Sequence, residues 1–205
     1  MPESPVIVAI ETSVGNCSVA LLRDGKIANK LTSKESGQQS SLLIPMIEEL
    51  LENNNISYND LGAFACTTGP GGFTGIRIGL TTSKALSMVS GIPVIGVSGL
   101  EALAFASQIK GDILAIIDAY RGQYYVQRFR VSDRLYAISD AMLVDENMIS
   151  VLSHGAKKIE GKPEVVDIAL LAYQKWQNGE RSFDSSPLYI REPDAKLPKE
   201  KELSA

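Results

Sequence analysis

Histidine is nearly absent from this sequence, which has a single one, His154, among its 205 residues. A zinc centre or a Ser–His–Asp triad would depend on that residue alone, and no carboxylate or cysteine stands at a recognisable ligand spacing from it. We therefore interpret His154 as a surface-loop residue, and we predict no catalytic residue and no metal site. The scarcity of histidine argues against hydrolase and metalloenzyme chemistry.

Cysteine is scarce, and long apolar runs are missing. Cys17 and Cys66 are the two cysteines, and without a CxxC motif they are typical of small buried side chains in a reducing compartment; a redox pair is the less favoured alternative. No stretch approaches the roughly 20 apolar residues of a membrane span, and the first residues carry an acid where a secretory signal has basic residues. We expect a cytoplasmic protein without membrane contact.

The chain has no excess of basic residues, because 20 lysines and arginines stand against 24 aspartates and glutamates, a formal net charge of −4. Binding to nucleic acid depends on cations that neutralise phosphates, so this balance argues against it. Lysines cluster in two places, at Lys157, Lys158 and Lys162, and in the tail at Lys196, Lys199 and Lys201. We interpret them as solvated surface residues, with a local nucleic-acid patch as the alternative.

The sequence does contain a regular series of apolar segments, and its 44% hydrophobic and 21% charged residues are ordinary for a globular protein with a core. Apolar β-branched runs and helical spacing predict the order β-β-β-α-β-α-β-α in the first half. The strands cover residues 6–10, 17–22, 26–32, 63–67 and 94–97, and the helices cover 40–51, 76–89 and 100–107. Asp24-Gly25 predicts a hairpin turn between the second and third strands.

The second half opens with a similar strand–turn–strand pattern. Strands are predicted over residues 113–118, 124–131 and 135–138, a helix over 165–176, an extended stretch over 187–191, and a mobile tail from about 193. The repeated opening indicates an α/β protein with two lobes, an N-terminal lobe over 1–108 and a C-terminal lobe over 109–205.

A glycine-rich loop, Gly69 to Gly75, directly precedes the second helix. Its glycines permit unusual φ angles and close backbone approach, and a helix N-terminus binds phosphate readily. The loop has no Gly-Lys-Ser/Thr of a Walker A motif and no complete GxGxxG. Phosphate binding and a tight structural turn therefore both remain open, with the turn favoured.

Two helices have distinctive faces. Apolar positions 42, 43, 46, 47, 50 and 51 form one broad face. Pro45 is allowed if the regular helix begins just before it, and otherwise it kinks the helix. On the next helix, Gly75, Gly79, Ser83 and Ser87 follow at four-residue spacing, and such a stripe lets another backbone approach closely. Packing on the chain's own sheet and contact with a partner are both consistent with these patterns.

Each half of the sequence begins with a predicted strand that ends in a carboxylate residue. Glu11, followed by Thr12 and Ser13, ends the first strand, and Asp118 ends the corresponding strand of the second half. Such residues either flank a nucleotide cleft with magnesium or cap their own turns, and capping is the favoured interpretation.

Several motifs resemble the bacterial TsaB (YeaZ) family in order along nearly the whole chain. They are AIETS, IPMIEELL, GPGGFTGIRIGLTTSKAL followed by GIPVIGVSGLEALA, IIDAYRGQYYV and PLYIRE. The resemblance implies a two-lobed actin/Hsp70/sugar-kinase-like (ASKHA) ATPase fold with ribonuclease H-like lobes. It also implies a role in the synthesis of N6-threonylcarbamoyladenosine at position 37 of tRNAs that read codons beginning with A.

The same resemblance implies a non-catalytic, glycoprotease-like subunit without a cofactor. Its partners would be the catalytic paralogue TsaD, which carries metal-binding histidines and ATP, and the ATPase TsaE. tRNA would be met only through the complex. Whether the chain without its partner is a homodimer or a monomer stays open.

The resemblance places the partner surface on two helices, at about 38–53 and 74–90. The interface residues it implies are Leu42, Leu43, Met46, Ile47, Leu50, Gly75, Ile76, Gly79, Leu80 and Ser83. A vestigial nucleotide cleft would be formed by Glu11, Thr12, Gly71, Gly72 and Asp118.

The sequence departs from the family pattern in three places. Glu11 stands where the family usually has aspartate, Gln39 stands where many relatives have histidine, and the region around 145–165 is short, which predicts a reduced second lobe. Two other functions stay open. One is a stand-alone ATP-dependent transferase, kinase or peptidase with its site at Glu11, Asp118 and the glycine loop, and the other is direct recruitment of tRNA through the basic tail.

Overall fold

The computed structural model describes residues 4–180 and 185–191, and within them the chain forms two mixed β-sheets. The first sheet has the strand order β3-β2-β1-β4-β5. Its strands are β1 (Ile7–Glu11), β2 (Asn16–Arg23), β3 (Lys26–Ser36), β4 (Ala63–Gly69) and β5 (Val94–Ser98). β1, β2 and β3 pair antiparallel, whereas β4 and β5 run parallel to β1.

The turn between β2 and β3 is the predicted hairpin. Asp24 and Gly25 both have positive φ, 51° and 72°, as a type I′ turn requires. This turn fixes the register that pairs Arg23 with Lys26.

The first sheet is covered on both faces, because its buried side chains alternate between the two sides. Two helices, α1 (Gln39–Glu52) and α2 (Phe73–Ser90), contact each other and share one apolar core with one face of the sheet. A short 3₁₀ helix, Tyr58–Asp60, lies between α1 and β4. The other face packs against α3 (Gly99–Ala106) and the C-terminal helix α5 (Val165–Gln177).

The second sheet has β7 at its centre, with β6 on one side and both β8 and β9 on the other, and β10 beyond β6. Its strands are β6 (Gly111–Asp118), β7 (Gln123–Val131), β8 (Leu135–Ala137), β9 (Met142–Asp145) and β10 (Lys157–Glu160). One face packs on α3, and the other packs on the short helix α4 (Glu146–Leu152) over a small core.

The predicted order of the first half is confirmed, including the end of α2 at Gly91, which has φ +72°. Of the two options for Pro45, a helix that begins just before it is wrong, since α1 begins six residues earlier and runs through it. Ser41 and Pro45 are both exposed, so water is available to the Ser41 carbonyl that loses its helical partner.

The second half was predicted less completely. β6, β7, β8 and α5 are confirmed, but β9, α4 and β10 were missed. The tail from about 193, with Lys196, Lys199 and Lys201, lies outside the described residues. The lobe division at residue 108 stays a prediction, and α5, which follows it in sequence, packs on the first sheet.

Candidate functional site

The glycine loop packs tightly against the end of β1. A Cβ atom at Gly71 would lie 2.5 Å from the carbonyl oxygen of Ser13, and the N–H of Gly72 donates a hydrogen bond to that same oxygen over 2.8 Å. Gly69 has φ +107°, in the region that side chains avoid. The close approach to Ser13 accounts for Gly71 and the positive φ accounts for Gly69, and both support the tight-turn interpretation.

The Glu11 carboxylate is held by donors from its own chain. One oxygen accepts hydrogen bonds from the Ser13 N–H (2.6 Å), the Ser13 hydroxyl (2.7 Å) and the Val14 N–H (3.1 Å). The other oxygen accepts a hydrogen bond from the Thr67 hydroxyl. The carboxylate thus caps the turn after β1 and ties β1 to β4.

Burial raises the pKa of the Glu11 carboxyl above its ordinary value of 4.5, and the hydrogen bonds from Thr67, Ser13 and Val14 oppose that rise. Glu11 is only 3% exposed, so the cost of removing its charge from water is the larger effect. The arrangement favours a structural carboxyl over a ligand for magnesium.

A cavity of about 200 Å³ lies where the two sheets meet. Its walls come from the turn after β1, the glycine loop, the end of β6 and Arg191. The lining residues include Ser13, Gly15, Gly71, Gly72, Asp118, Tyr120 and Arg191. Asp118 accepts a hydrogen bond from the Tyr120 N–H over 2.7 Å, and Arg191 donates one to the Gln123 side-chain oxygen over 2.6 Å.

Three of the five predicted cleft residues line this cavity, namely Gly71, Gly72 and Asp118. Glu11 and Thr12 do not, which corrects their assignment to the cavity wall. Glu11 turns back onto its own turn, and the Thr12 hydroxyl donates a hydrogen bond to the Gly75 carbonyl over 2.7 Å. Among the residues that the structure describes, no three His, Cys, Asp or Glu side chains form a cluster able to hold a metal ion.

The ten predicted interface residues lie on α1 and α2 as expected, but on the inward faces. Nine are buried in this chain's own core, and Leu42 is half-buried. Those nine are Leu43, Met46, Ile47, Leu50, Gly75, Ile76, Gly79, Leu80 and Ser83. A partner docking on this conformation cannot reach them. The two helices therefore use the apolar face and the small-residue stripe to pack on the sheet.

The outward side of α1 and α2 consists of other residues. On α1 the exposed residues include Ile44, Pro45 and Glu48. Near the C-terminal end of α2, two large apolar side chains are exposed, Met88 at 85% and Val89 at 91%. We call the exposed residues of α1 and α2 the two-helix face. Among the described residues, Met88 and Val89 are the most exposed of the large apolar side chains.

Sequence reasoning missed one cluster at the start of α2. The guanidinium carbon of Arg77 lies 3.6 Å from the centre of the Phe73 ring, and the Arg77 Nε donates a hydrogen bond to the Tyr189 hydroxyl over 3.0 Å. Both residues lie within motifs that carry the family resemblance. Their contact spans 112 positions of sequence, so no local pattern indicates it.

The order β-β-β-α-β-α with a 3-2-1-4-5 sheet, followed by a second three-stranded opening, defines a two-lobed α/β protein of the actin/Hsp70/sugar-kinase-like (ASKHA) class with a small second sheet. A family model described as TsaD: tRNA N6-adenosine threonylcarbamoyltransferase matches residues 29–184. This chain belongs to that family.

Individual relatives narrow the resemblance to TsaB (YeaZ). The tRNA threonylcarbamoyladenosine biosynthesis protein TsaB of Escherichia coli is 37% identical over 124 residues, covering 58% of this chain and 52% of the relative. The protein of the same name from Bacillus subtilis is 32% identical over 144 residues, covering 70% and 62%. The matches thus span about half to three fifths of these curated relatives.

Two solved structures share the fold. YeaZ from Pseudomonas aeruginosa has a TM-score of 0.75 at 22% identity, covering 91% of this chain and 100% of the solved one. A crystal structure of an uncharacterized protein with similarity to peptidase YeaZ, also from Pseudomonas aeruginosa, has a TM-score of 0.77 at 23% identity and the same coverage. No helix among the described residues has the length and apolar character to cross a membrane.

Proposed function

We propose that this chain is a non-catalytic scaffold subunit in tRNA threonylcarbamoyladenosine biosynthesis, and that it acts by binding and stabilising its catalytic TsaD paralogue. The names of the TsaB relatives supply the pathway. The single observation that carries the scaffold role is the two-helix face, whose exposed apolar side chains no described residue of the chain covers.

The location of this face supports docking of a folded protein. α1 and α2 lie side by side and are anchored by a core that includes Leu43, Leu50 and Ile76, all at most 1% exposed. A partner therefore meets a rigid pair of helices and does not need to order a loop, which reduces the entropic cost of binding.

The cleft supports the absence of catalysis in this subunit. The carboxylate at the end of β1, Glu11, does not line the cavity and is occupied by four hydrogen bonds from Ser13, Val14 and Thr67. The resemblance implies metal-binding histidines in TsaD, whereas the one histidine here, His154, is exposed and follows α4. The single-histidine sequence is consistent with a subunit that leaves the chemistry to its partner.

The test is a calorimetric titration of this chain with the TsaD protein of the same organism. A complex with a dissociation constant in the micromolar range or tighter is expected, together with tRNA modification that depends on adding both proteins. No association at tens of micromolar would refute the proposal. ATP turnover by the isolated chain that is lost in Glu11→Ala would favour the stand-alone enzyme instead.

A further inference from the structure

The strap formed by residues 187–191 connects α2 with both sheets. The Leu188 N–H donates a hydrogen bond to the Thr68 carbonyl at the end of β4 over 2.8 Å. Ile190 packs in the core beside the second sheet, and Arg191 is bonded to Gln123 on β7. Tyr189, between these anchored residues, is thereby held against the first turn of α2 while its side chain stays 42% exposed.

The Arg77 side chain is fixed by this arrangement. Its guanidinium lies 3.6 Å from the centre of the Phe73 ring and 5.8 Å from that of Tyr189, and the two rings are 5.1 Å apart. The hydrogen bond from Nε to the Tyr189 hydroxyl uses one of the five guanidinium N–H donors. The planar cation is thus oriented before any partner arrives, which lowers the entropy lost on binding.

Arg77 belongs to the two-helix face. Arg77, Thr81, Lys84 and Met88 follow one another at three- or four-residue spacing, so they lie on one side of α2, and all four are exposed. α2 contains no acidic residue. Within the described part of the chain, no carboxylate lies within salt-bridge distance of Arg77. This edge of the face is cationic, and no described carboxylate pairs with Arg77 there.

We propose that the docking face continues from α2 onto the strap, and that Arg77, held by Phe73 and Tyr189, binds an aspartate or glutamate side chain of the partner protein. This inference rests on the proposed function and names the chemistry of the partner's contact. Arginine and tyrosine are the residue types that most often dominate binding energy at protein interfaces, and a pre-ordered guanidinium can engage a carboxylate through two parallel hydrogen bonds.

The experiment measures the dissociation constant of the complex with TsaD for wild type, Arg77→Ala, Arg77→Lys and Tyr189→Phe, at low and high salt. Arg77→Ala is expected to weaken binding at least tenfold and to make it less sensitive to salt. Arg77→Lys keeps the charge but loses the planar fork, and Tyr189→Phe keeps the ring but loses the acceptor, so each is expected to weaken binding several-fold. Arg134→Ala, an exposed arginine before β8, is the matched control and is expected to bind like wild type.

The outcomes separate this inference from the proposed function. Wild-type binding with unchanged affinity in Arg77→Ala and Tyr189→Phe overturns the inference alone. Absence of wild-type binding overturns both. Loss of self-association in Arg77→Ala, with TsaD binding unchanged, would assign the cluster to a second copy of this chain and also overturn the inference. Circular dichroism of each variant checks folding, and Tyr189→Phe, the mildest change, decides the matter if Arg77→Ala fails to fold.

Discussion

The hydroxyl of Thr12 donates a hydrogen bond to the carbonyl oxygen of Gly75 over 2.7 Å, and a Cβ atom at Gly75 would overlap the carbonyl oxygen of Thr12. The end of β1 and the first turn of α2 are thus in direct backbone contact. A glycine at position 75 is required by this contact, whether or not any ligand binds nearby.

Replacing Gly75 is predicted to destabilise the fold. Gly75→Ala forces the strand end and the helix apart, and overpacking of this kind costs about 1–3 kcal/mol, more where backbone atoms must move. Gly72→Ala is the control, because its Cβ atom would meet only the Ser13 oxygen at 3.5 Å, and a loss below about 1 kcal/mol is expected there. Urea unfolding of both variants measures the difference. Equal stability of the two would contradict the packing explanation of the loop.

Glu11 is predicted to make stability depend on pH. Because burial raises the pKa of this carboxyl in the folded state, the folded protein binds its proton more tightly than the unfolded chain does. The resulting stabilisation is complete below the ordinary pKa of 4.5 and is lost as pH rises through the raised value. Glu11→Gln removes this titration because an amide has no ionisable proton in this pH range. The hydrogen bonds are kept, since the amide oxygen can accept from Ser13 and Val14 and the amide nitrogen can donate to the Thr67 hydroxyl.

The measurement is the free energy of unfolding of wild type and Glu11→Gln between about pH 4 and pH 8. The stability of wild type relative to the variant should fall as pH rises. Glu48→Gln, at an exposed position on α1, controls for a general loss of charge. A relative stability that is constant with pH, or that rises, would show that the carboxyl is not destabilised by burial.

The two cysteines are predicted to be unreactive in the folded protein. Both are buried, and burial raises the pKa of Cys17 to about 11 and that of Cys66 to about 12, so neither thiolate is populated near neutral pH. A thiol reagent at pH 8 should label the native chain slowly and should label two thiols quickly in denaturant. Fast labelling of the native protein would indicate that this core opens readily.

The sequence predicted the first sheet well because its signals are local. Asp24-Gly25 specifies its turn, and Gly91 ends α2 through a positive φ. The strands missed in the second sheet are short. β9 and β10 have four residues each, and β10, with the sequence KKIE, contributes one partly buried apolar side chain to the core. Their pairing partners lie far away in sequence, so tertiary contacts decide their conformation.

The site was predicted in part. The glycine loop and Asp118 do meet at one cavity, because the ends of β1, β4 and β6 converge there. The orientation of α1 and α2 was not predictable, since an apolar face and a small-residue stripe serve a helix's own core as well as a partner. The buried side chain of Ser83 illustrates this, because it donates a hydrogen bond back to the Gly79 carbonyl.

The most direct test of the scaffold account is the affinity of Met88→Glu for TsaD. Met88 is 85% exposed, so the substitution should leave the melting temperature unchanged while replacing an apolar side chain of the interface by a charged one. Met148→Glu, at an exposed methionine on α4, is the matched control. Binding is expected to be at least tenfold weaker for Met88→Glu and unchanged for Met148→Glu, whereas wild-type affinity in Met88→Glu would contradict the scaffold role.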